Sequence, residues 1–179
     1  NFSNMSAVRK QYCSMVYTMD KNIGLLMDQL EDPNNDGNTS DSIADNTLII
    51  FINDNGGPSK NESVNTPLRG NKGDAHDGGC RVPMLMVGPG IAAGSVFNKP
   101  VHSMDLLPTM LGLGGNPIPS EMMGKNLLPY VTGADSSNPH EYVCVAGNNG
   151  LGLRIDDWKL VIGTSGAQAI YNTSSDVGE

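Results

Sequence analysis

The sequence contains few positive charges, and this shortage limits what the protein can bind. Among 179 residues there are 11 Lys or Arg against 19 Asp or Glu, which gives a formal net charge of −8. A nucleic-acid surface needs clustered Lys and Arg to replace the counterions of the phosphates. The composition therefore argues against nucleic acid as a partner.

Cysteine is also scarce, and long apolar runs are missing. The three cysteines, Cys13, Cys80 and Cys144, form no Cys-x-x-Cys pair, so neither a zinc motif nor a disulfide framework is expected. We expect all three to be small buried hydrophobic residues. No apolar run approaches the roughly 20 residues that a membrane-spanning helix needs, so the sequence predicts no membrane span.

The first part of the chain has the pattern of a layered α/β fold. Between residues 7 and 31 the apolar residues recur at the three-and-four spacing of a long helix with one buried face. Residues 48–52 are continuously apolar, which is typical of a strand covered on both faces, as in a parallel sheet flanked by helices. A second such run covers residues 82–87. This order of elements predicts an α/β layered fold.

The last part of the chain has a different texture. A third helix is expected to start near Ser103 to Asp105 and to end in a cluster of glycines. Beyond it, residues 142–145, 153–155 and 158–162 have the pattern of short strands, with a hairpin between the last two. We therefore divide the chain into residues 1–133, part of an α/β domain, and residues 134–179, a small antiparallel β subdomain.

One polar loop resembles the start of a calcium site. Asp32, Asn34, Asp36 and Gly37 match the opening of an EF-hand loop, but the twelfth position is Ile43, where a bidentate Glu would complete the oxygen shell. A flexible surface loop is the favoured interpretation. A non-catalytic calcium-binding module is kept as an alternative.

A stronger candidate site follows the first strand. Asp54, Asn55 and Gly56 come directly after the apolar run, at the strand end where ligands gather in open α/β sheets. A carboxylate and an amide carbonyl are hard oxygen donors, which suit Ca²⁺ or Mg²⁺ and not zinc. A simple tight turn is the alternative for this tripeptide, since Asp, Asn and Gly are also the commonest turn residues.

A glycine-rich loop with a central lysine leads into the second strand. Residues 67–83 contain four glycines, which allow the loop to wrap around something small, and Lys72 offers a mobile point charge suited to an anion. Residues 60–81 carry four cations and three acids, a locally cationic stretch in an acidic chain. A solvated surface loop is the alternative.

Collinear motifs run through nearly the whole chain: Met19-Asp20-Lys21, Asp54-Asn55-Gly56-Gly57, Pro67-Leu68-Arg69-Gly70, Gly78-Gly79-Cys80-Arg81-Val82-Pro83, Asp105-Leu106-Leu107-Pro108-Thr109, Leu127-Leu128-Pro129 and Asp157-Trp158-Lys159-Leu160. In this order they resemble the sulfatase family of the alkaline-phosphatase superfamily. The resemblance implies an alkaline-phosphatase-like layered sheet flanked by helices. It also implies that the chain is the carboxyl-terminal half of such an enzyme, a fragment truncated mainly at the front.

The resemblance also implies roles for particular residues. Asp54 and Asn55 match the family's ligands to a divalent metal, usually Ca²⁺, with Mg²⁺ as the alternative; acids from the amino-terminal half would complete the site. Lys72 matches the catalytic lysine that contacts the sulfate oxygens. His76 and Asp77 stand where the family often has an aromatic residue and a Glu. His76 is therefore a candidate substrate contact, with a plain loop histidine as the alternative.

The family's nucleophile is a formylglycine made from Cys or Ser within Cys/Ser-x-Pro/Ala-x-Arg. None of the three cysteines begins such a motif, so we expect the formylglycine in the missing amino-terminal half and expect this chain alone to be inactive. The full-length protein is predicted to be a sulfuric ester hydrolase acting on a sulfate ester, with sulfated carbohydrates among the candidates. By family habit it would be periplasmic, lysosomal or extracellular.

Two other interpretations stay open at this point. A phosphatase or phosphomutase of the same superfamily would share the fold, although those enzymes favour Asp-His where this chain has Asp54 and Asn55, since imidazole suits zinc or manganese. A non-catalytic sulfatase-like scaffold is the other. The sequence does not indicate an oligomeric state.

Overall fold

A computed structural model describes residues 2–179. The helices are α1 (Ala7–Glu31), α2 (Asp77–Cys80), α3 (Leu106–Leu113) and α4 (Leu128–Val131), and the strands are β1 (Ile49–Ile52), β2 (Met84–Val87), β3 (Val143–Gly147), β4 (Gly150–Ile155), β5 (Trp158–Gly163) and β6 (Gln168–Asn172). Strands β1 and β2 form one sheet. The other four form an antiparallel sheet in the order β3-β4-β5-β6.

Helix α1 has the predicted bounds but not the predicted burial. It begins after Ser6, whose hydroxyl accepts a hydrogen bond from the Arg9 amide at 3.0 Å, an N-cap. None of its residues is buried, and apolar side chains such as Met15 and Leu26 are exposed. The prediction of a buried face is wrong for residues 2–179, because short turns at Ala44–Asn46 and Ser59–Asn61 pack against the helix and cover too little of it.

Strands β1 and β2 pair antiparallel, from Ile49 opposite Val87 to Ile52 opposite Met84. The prediction of a parallel arrangement is therefore wrong for this pair. Parallel neighbours need a crossover that returns the chain to the same end of the sheet, usually through a long helix. The connection here, residues 53–83, contains no long helix, and the end of β1 lies opposite the start of β2.

Helix α3 begins as predicted, after a 3-10 turn at Ser103–Asp105. Pro108 is tolerated because it is the third residue of the helix, where its missing amide hydrogen would have no helical partner. The Thr109 hydroxyl donates to the Asp105 carbonyl at 2.6 Å and accepts from the Leu127 amide at 2.9 Å. These buried groups tie α3 to the segment before α4.

The predicted hairpin is confirmed. Ile155 and Trp158 face each other across a two-residue turn, in which Asp156 adopts a φ of 49°. On β5, Lys159 and Val161 are buried. The sheet therefore turns one face inward and lies against the loop that precedes α2, where Ala75 is fully buried.

The cysteines are free, as expected, but the prediction that all three are buried is wrong. Cys13 and Cys80 are half-buried, and Cys144 is exposed because β3 alternates its side chains between two faces. Within the described part of the chain, no helix is long and apolar enough to cross a membrane.

Candidate functional site

The end of β1 presents two oxygen donors that have no protein partner. The Asp54 carboxylate is exposed and makes no hydrogen bond or ion pair to residues 2–179. Asn55 is half-buried and donates from its side-chain nitrogen to the Gly56 carbonyl at 2.9 Å, which leaves its side-chain oxygen without a partner. The Asp54 carboxylate and the Asn55 side-chain oxygen are therefore available to a hard cation.

Gly56 brings this strand end against the second loop. It is buried, and its amide donates to the Gly79 carbonyl at 2.9 Å. A Cβ at this position would overlap the carbonyl group of Gly78. The two backbones can approach this closely because both positions are glycine.

We call residues 69–81 the lysine loop. Asn65 joins this loop to the residues that follow β1. Its side-chain oxygen accepts from the Gly57 amide at 3.0 Å, and its side-chain nitrogen donates to the Gly57 and Gly70 carbonyls at 2.9 and 3.1 Å. The Lys72 amide also donates to Gly57, at 3.3 Å. The backbone therefore places Lys72 beside the end of β1. Sequence reasoning missed Asn65, which sits in a polar stretch without a motif.

Lys72 keeps its charge available. Its side chain is exposed, and within residues 2–179 its ammonium has no ion pair or hydrogen bond. By contrast, Arg69 donates to the Tyr171 hydroxyl, and Arg81 forms an ion pair with Asp77 at 3.6 Å. The cationic stretch is thus partly used by the fold, while Lys72 can face an anion.

His76 lies on the side of the lysine loop that faces the four-stranded sheet. Its ring meets the Tyr171 ring edge-on, with the centroids 6.2 Å apart. Partial burial lowers the pKa of His76, and the nearby Arg69 charge lowers it further. Its role as a substrate contact stays a prediction.

The donor chemistry at the strand end fits a hard divalent cation, but the described residues supply a small part of its shell. Ca²⁺ takes six to eight oxygen ligands, and the carboxylate of Asp54 and the amide of Asn55 offer at most three side-chain oxygens between them. Residues 2–179 contain no group of three or more His, Cys, Asp or Glu side chains that could hold a metal ion. A complete site therefore needs further ligands.

A buried ionic cluster lies between the lysine loop and the four-stranded sheet. Sequence reasoning missed it. The Lys159 ammonium lies 2.5 Å from Asp77 and 2.9 Å from Glu179, and all three residues are buried. Lys159 comes two residues before Val161 on β5, so the two side chains point to the same face of the sheet. An apolar residue at Val161 marks that face as the inward one, and this was the available signal for Lys159.

A second pair of titratable residues, of which only the aspartate is fully buried, involves other elements of the chain. The His140 ring nitrogen Nε2 lies 2.8 Å from Asp105, which is fully buried and also accepts from the His102 and Lys125 amides. A cavity of about 290 Å³ is lined by this histidine, Lys125 and Cys144, among others. The buried Asp105 carboxylate therefore has hydrogen-bond partners within the fold. Its contact with His140 joins the start of α3 to the segment before β3.

The comparison with known proteins decides the family. A family model described as Sulfatase matches residues 2–116. The chain belongs to the sulfatase family. The motifs that resemble the family's, from the Asp54 strand end to the Asp105 helix, fall within the matched residues.

Relatives named as sulfatases agree with this assignment. A sulfatase of Formosa agariphila is 40% identical over 122 residues, which cover 65% of this chain and 22% of the relative. The choline-sulfatase of Rhizobium meliloti is 27% identical over 184 residues, covering 97% of this chain and 32% of the relative. The chain thus spans about a fifth to a third of the length of these relatives.

The fold of the sulfatase family is also matched in a solved structure. The crystal structure of Ps i-CgsB in complex with k-i-k-neocarrahexaose superposes with a TM-score of 0.85 at 32% identity, covering 98% of this chain and 39% of that one. The predicted fold class, an alkaline-phosphatase-like α/β fold with a carboxyl-terminal antiparallel sheet, is confirmed.

Proposed function

We propose that the full-length protein hydrolyses sulfate esters and that this chain supplies one side of the active site. The observation that carries the proposal is the placement of Lys72 beside the Asp54 strand end through the Gly57 carbonyl. A lysine whose ammonium has no partner in residues 2–179, on a loop bonded to the segment that carries a free carboxylate and a free amide oxygen, suits an anion that shares a divalent cation. Membership of the sulfatase family supports sulfate as that anion.

Asp54 and Asn55 would hold the cation, with the remaining ligands coming from outside this chain. Ca²⁺ is our choice, since its flexible shell accepts mixed carboxylate and amide oxygens; Mg²⁺, which demands near-ideal octahedral geometry, is the alternative. When bound, such a cation supplies Lewis-acid polarisation of the sulfate and neutralises its charge.

Lys72 would act on the sulfate oxygens as a point charge. As the ester S–O bond breaks, its electron pair goes to the leaving alcohol oxygen, and a preorganised cation beside the sulfate stabilises the negative charge of the transition state. The lysine pays no penalty for breaking a protein ion pair, because its ammonium has none within residues 2–179. His76 is proposed as a further substrate contact at the edge of the same loop.

The nucleophile would come from the amino-terminal half as a formylglycine. No Cys-x-Pro/Ala-x-Arg sequence occurs at Cys13, Cys80 or Cys144. We therefore propose that the chain by itself binds without turning over a sulfate ester. We also propose the boundary near residue 134, with residues 134–179 as a subdomain that supports the site.

A sulfated carbohydrate is the proposed class of substrate. The support is the Ps i-CgsB structure, which matches 98% of this chain at 32% identity and contains k-i-k-neocarrahexaose. A location in the periplasm, the lysosome or outside the cell is proposed to go with such a substrate.

The test is an assay of the full-length protein with sulfate and phosphate esters of the same alcohol, side by side. We expect turnover of the sulfate ester with a clear preference over the phosphate. A preference for phosphate would refute the proposal and favour a phosphatase of the same superfamily.

A further inference from the structure

Lys159 is a buried cation that the proposed chemistry does not use. Its side chain is 2% exposed, and its Nζ lies 2.5 Å from Asp77 Oδ1 and 2.9 Å from Glu179 Oε1. Burial disfavours the charged ammonium, but the bonds to Asp77 and Glu179 outweigh this and raise the pKa of Lys159. The lysine is therefore a fixed positive charge between two carboxylates.

The surrounding charges balance this cluster. Two carboxylates face one ammonium, and the second oxygen of Asp77 lies 3.4 Å from Arg154 and 3.6 Å from Arg81. A buried ion pair is retained where such extra partners satisfy the remaining lone pairs. The positive charge of Lys159 is thus neutralised by Asp77 and Glu179, so Lys159 does not compete with Lys72 for an anion.

The cluster of Lys159, Asp77 and Glu179 contacts the main chain of the lysine loop as well as the Asp77 side chain. Glu179 Oε2 accepts a hydrogen bond from the Asp77 amide at 2.5 Å. Arg69, at the other end of the loop, donates to the Glu179 main-chain oxygen at 3.0 Å. Residues 69 and 77 are therefore both fixed to the segment that follows β6.

A second anchor comes from the turn between β3 and β4. The Asn148 amide donates to the Gly73 carbonyl at 2.6 Å, and Asn149 accepts from the Ala75 amide at 2.8 Å while donating to Asp74 at 2.6 Å. The three residues directly after the sulfate-binding lysine are thus bound to the four-stranded sheet.

We propose that Lys159 is a positioning residue that, through Asp77 and Glu179, holds the lysine loop so that Lys72 faces the oxygens of Asp54. The inference rests on the proposed function for its catalytic consequence. The Lys72 side chain itself is free within the described residues, so its direction depends on how the backbone on either side is held. Reacting groups misplaced by about 1 Å lose roughly 100-fold in rate, which makes such support necessary.

The test uses Lys159→Met in the full-length protein, with Lys125→Met as the matched control because Lys125 is exposed and its side chain has no partner in residues 2–179. Hydrogen exchange measured by mass spectrometry should be at least about tenfold faster in residues 69–81 of Lys159→Met, with the amides of α1 unchanged. The kcat for a sulfate ester should fall about 100-fold while KM changes little. The control should match the wild type.

A second variant guards against misfolding. Lys159→Met/Glu179→Gln removes one charge of each sign and leaves Asp77 with its arginine partners, so it should fold and show the same faster exchange. Unchanged exchange in either folded variant would overturn the proposal, as would faster exchange with unchanged kcat. Failure of both variants to fold would assign Lys159 to folding of the whole domain and would also overturn it.

The exchange measurement needs no substrate, which separates this inference from the proposed function. Faster exchange in the variants, combined with a wild-type protein that hydrolyses no sulfate ester, would refute the proposed function. The role of Lys159 in holding the loop would stand in that case.

Discussion

The main-chain amide of Lys72 donates a hydrogen bond to the carbonyl oxygen of Gly57 at 3.3 Å. Gly57 lies three residues after Asp54 and two after Asn55, so the lysine loop is aligned with the end of β1 by backbone contacts. The side chain of Lys72 takes no part in this alignment. Function and folding can therefore be separated experimentally at this residue.

Replacing Lys72 by Met should abolish most of the activity and leave the fold intact. Loss of one preorganised group that stabilises developing negative charge costs about 100- to 1,000-fold in kcat. Stability should change by less than about 0.5 kcal/mol, since the side chain is exposed and without partners in residues 2–179. Steady-state kinetics and thermal unfolding of the full-length protein measure both effects.

The matched control is Lys60→Met. Lys60 lies in the same cationic stretch, in the 3-10 turn at Ser59–Asn61, and is also exposed. It should retain wild-type kinetics. Equal losses in the two variants would show that general positive charge, and not the placement of Lys72, is what matters.

Gly56→Ala should destabilise the protein by about 1–3 kcal/mol or more, because the added methyl group must displace the Gly78 carbonyl. Gly24→Ala is the matched control: nothing lies within 4 Å of its Cβ position on α1, and helix propensity predicts a gain of roughly 0.5–1 kcal/mol. Denaturant unfolding measures both. A Gly56→Ala variant as stable as the wild type would contradict the close packing of the two loops.

Much of the local structure could be predicted from the sequence, because its determinants are close together in the chain. The apolar spacing of residues 7–31 gave the bounds of α1, and Asp156-Asp157 between two apolar runs gave the β4–β5 hairpin. Asp54 and Asn55 could be selected as donors because a strand end and hard oxygens coincide there.

The direction of strand pairing and the burial of α1 could not be predicted in this way. A continuous apolar run such as β1 indicates that a strand is covered but not which way its neighbour runs. The three-and-four spacing of α1 likewise indicates an apolar face without saying whether the cover lies within residues 2–179.

The ionic support of the site was hidden by sequence distance. Lys159 and Asp77 are 82 residues apart in the sequence. Lys and Asp are residue types that mostly lie on the surface, so neither residue alone indicates a buried position. Only the folded arrangement of the sheet against the loop brings them together. Asn65 was missed for a similar reason. It belongs to no motif, and only the folded chain brings it against Gly57 and Gly70.

His76 should make the stability of the protein depend on pH in a defined direction. Its pKa is lowered from 6.5, chiefly by burial, so the unfolded chain binds more protons than the folded one just below that value. The contribution is present above pH 6.5 and is lost as pH falls toward the folded pKa. The free energy of unfolding of the wild type, relative to that of His76→Gln, should therefore rise as pH increases toward 6.5 and level off above it. A difference independent of pH would contradict this.

The polar loop at Asp32 should not be the calcium site. Asp32 and Asn34 accept main-chain hydrogen bonds from Gly37 and Asp36 at 2.9 Å, so the loop satisfies its own carboxylates, and its twelfth position is Ile43. Calorimetric titration of this chain with Ca²⁺ should show weak binding. Tight binding that is lost in Asp36→Ala and retained in Asp54→Ala would favour a separate calcium module.

The central claim is that Asp54 and Asn55 hold a divalent cation beside Lys72 in a sulfate-ester hydrolase. It is tested most directly by measuring sulfate-ester hydrolysis of the full-length protein before chelation, after chelation, and after addition of Ca²⁺, in the wild type and in Asp54→Ala. We predict that chelation abolishes the wild-type activity, that Ca²⁺ restores it, and that Asp54→Ala is inactive throughout. Activity that survives both chelation and Asp54→Ala would contradict the account.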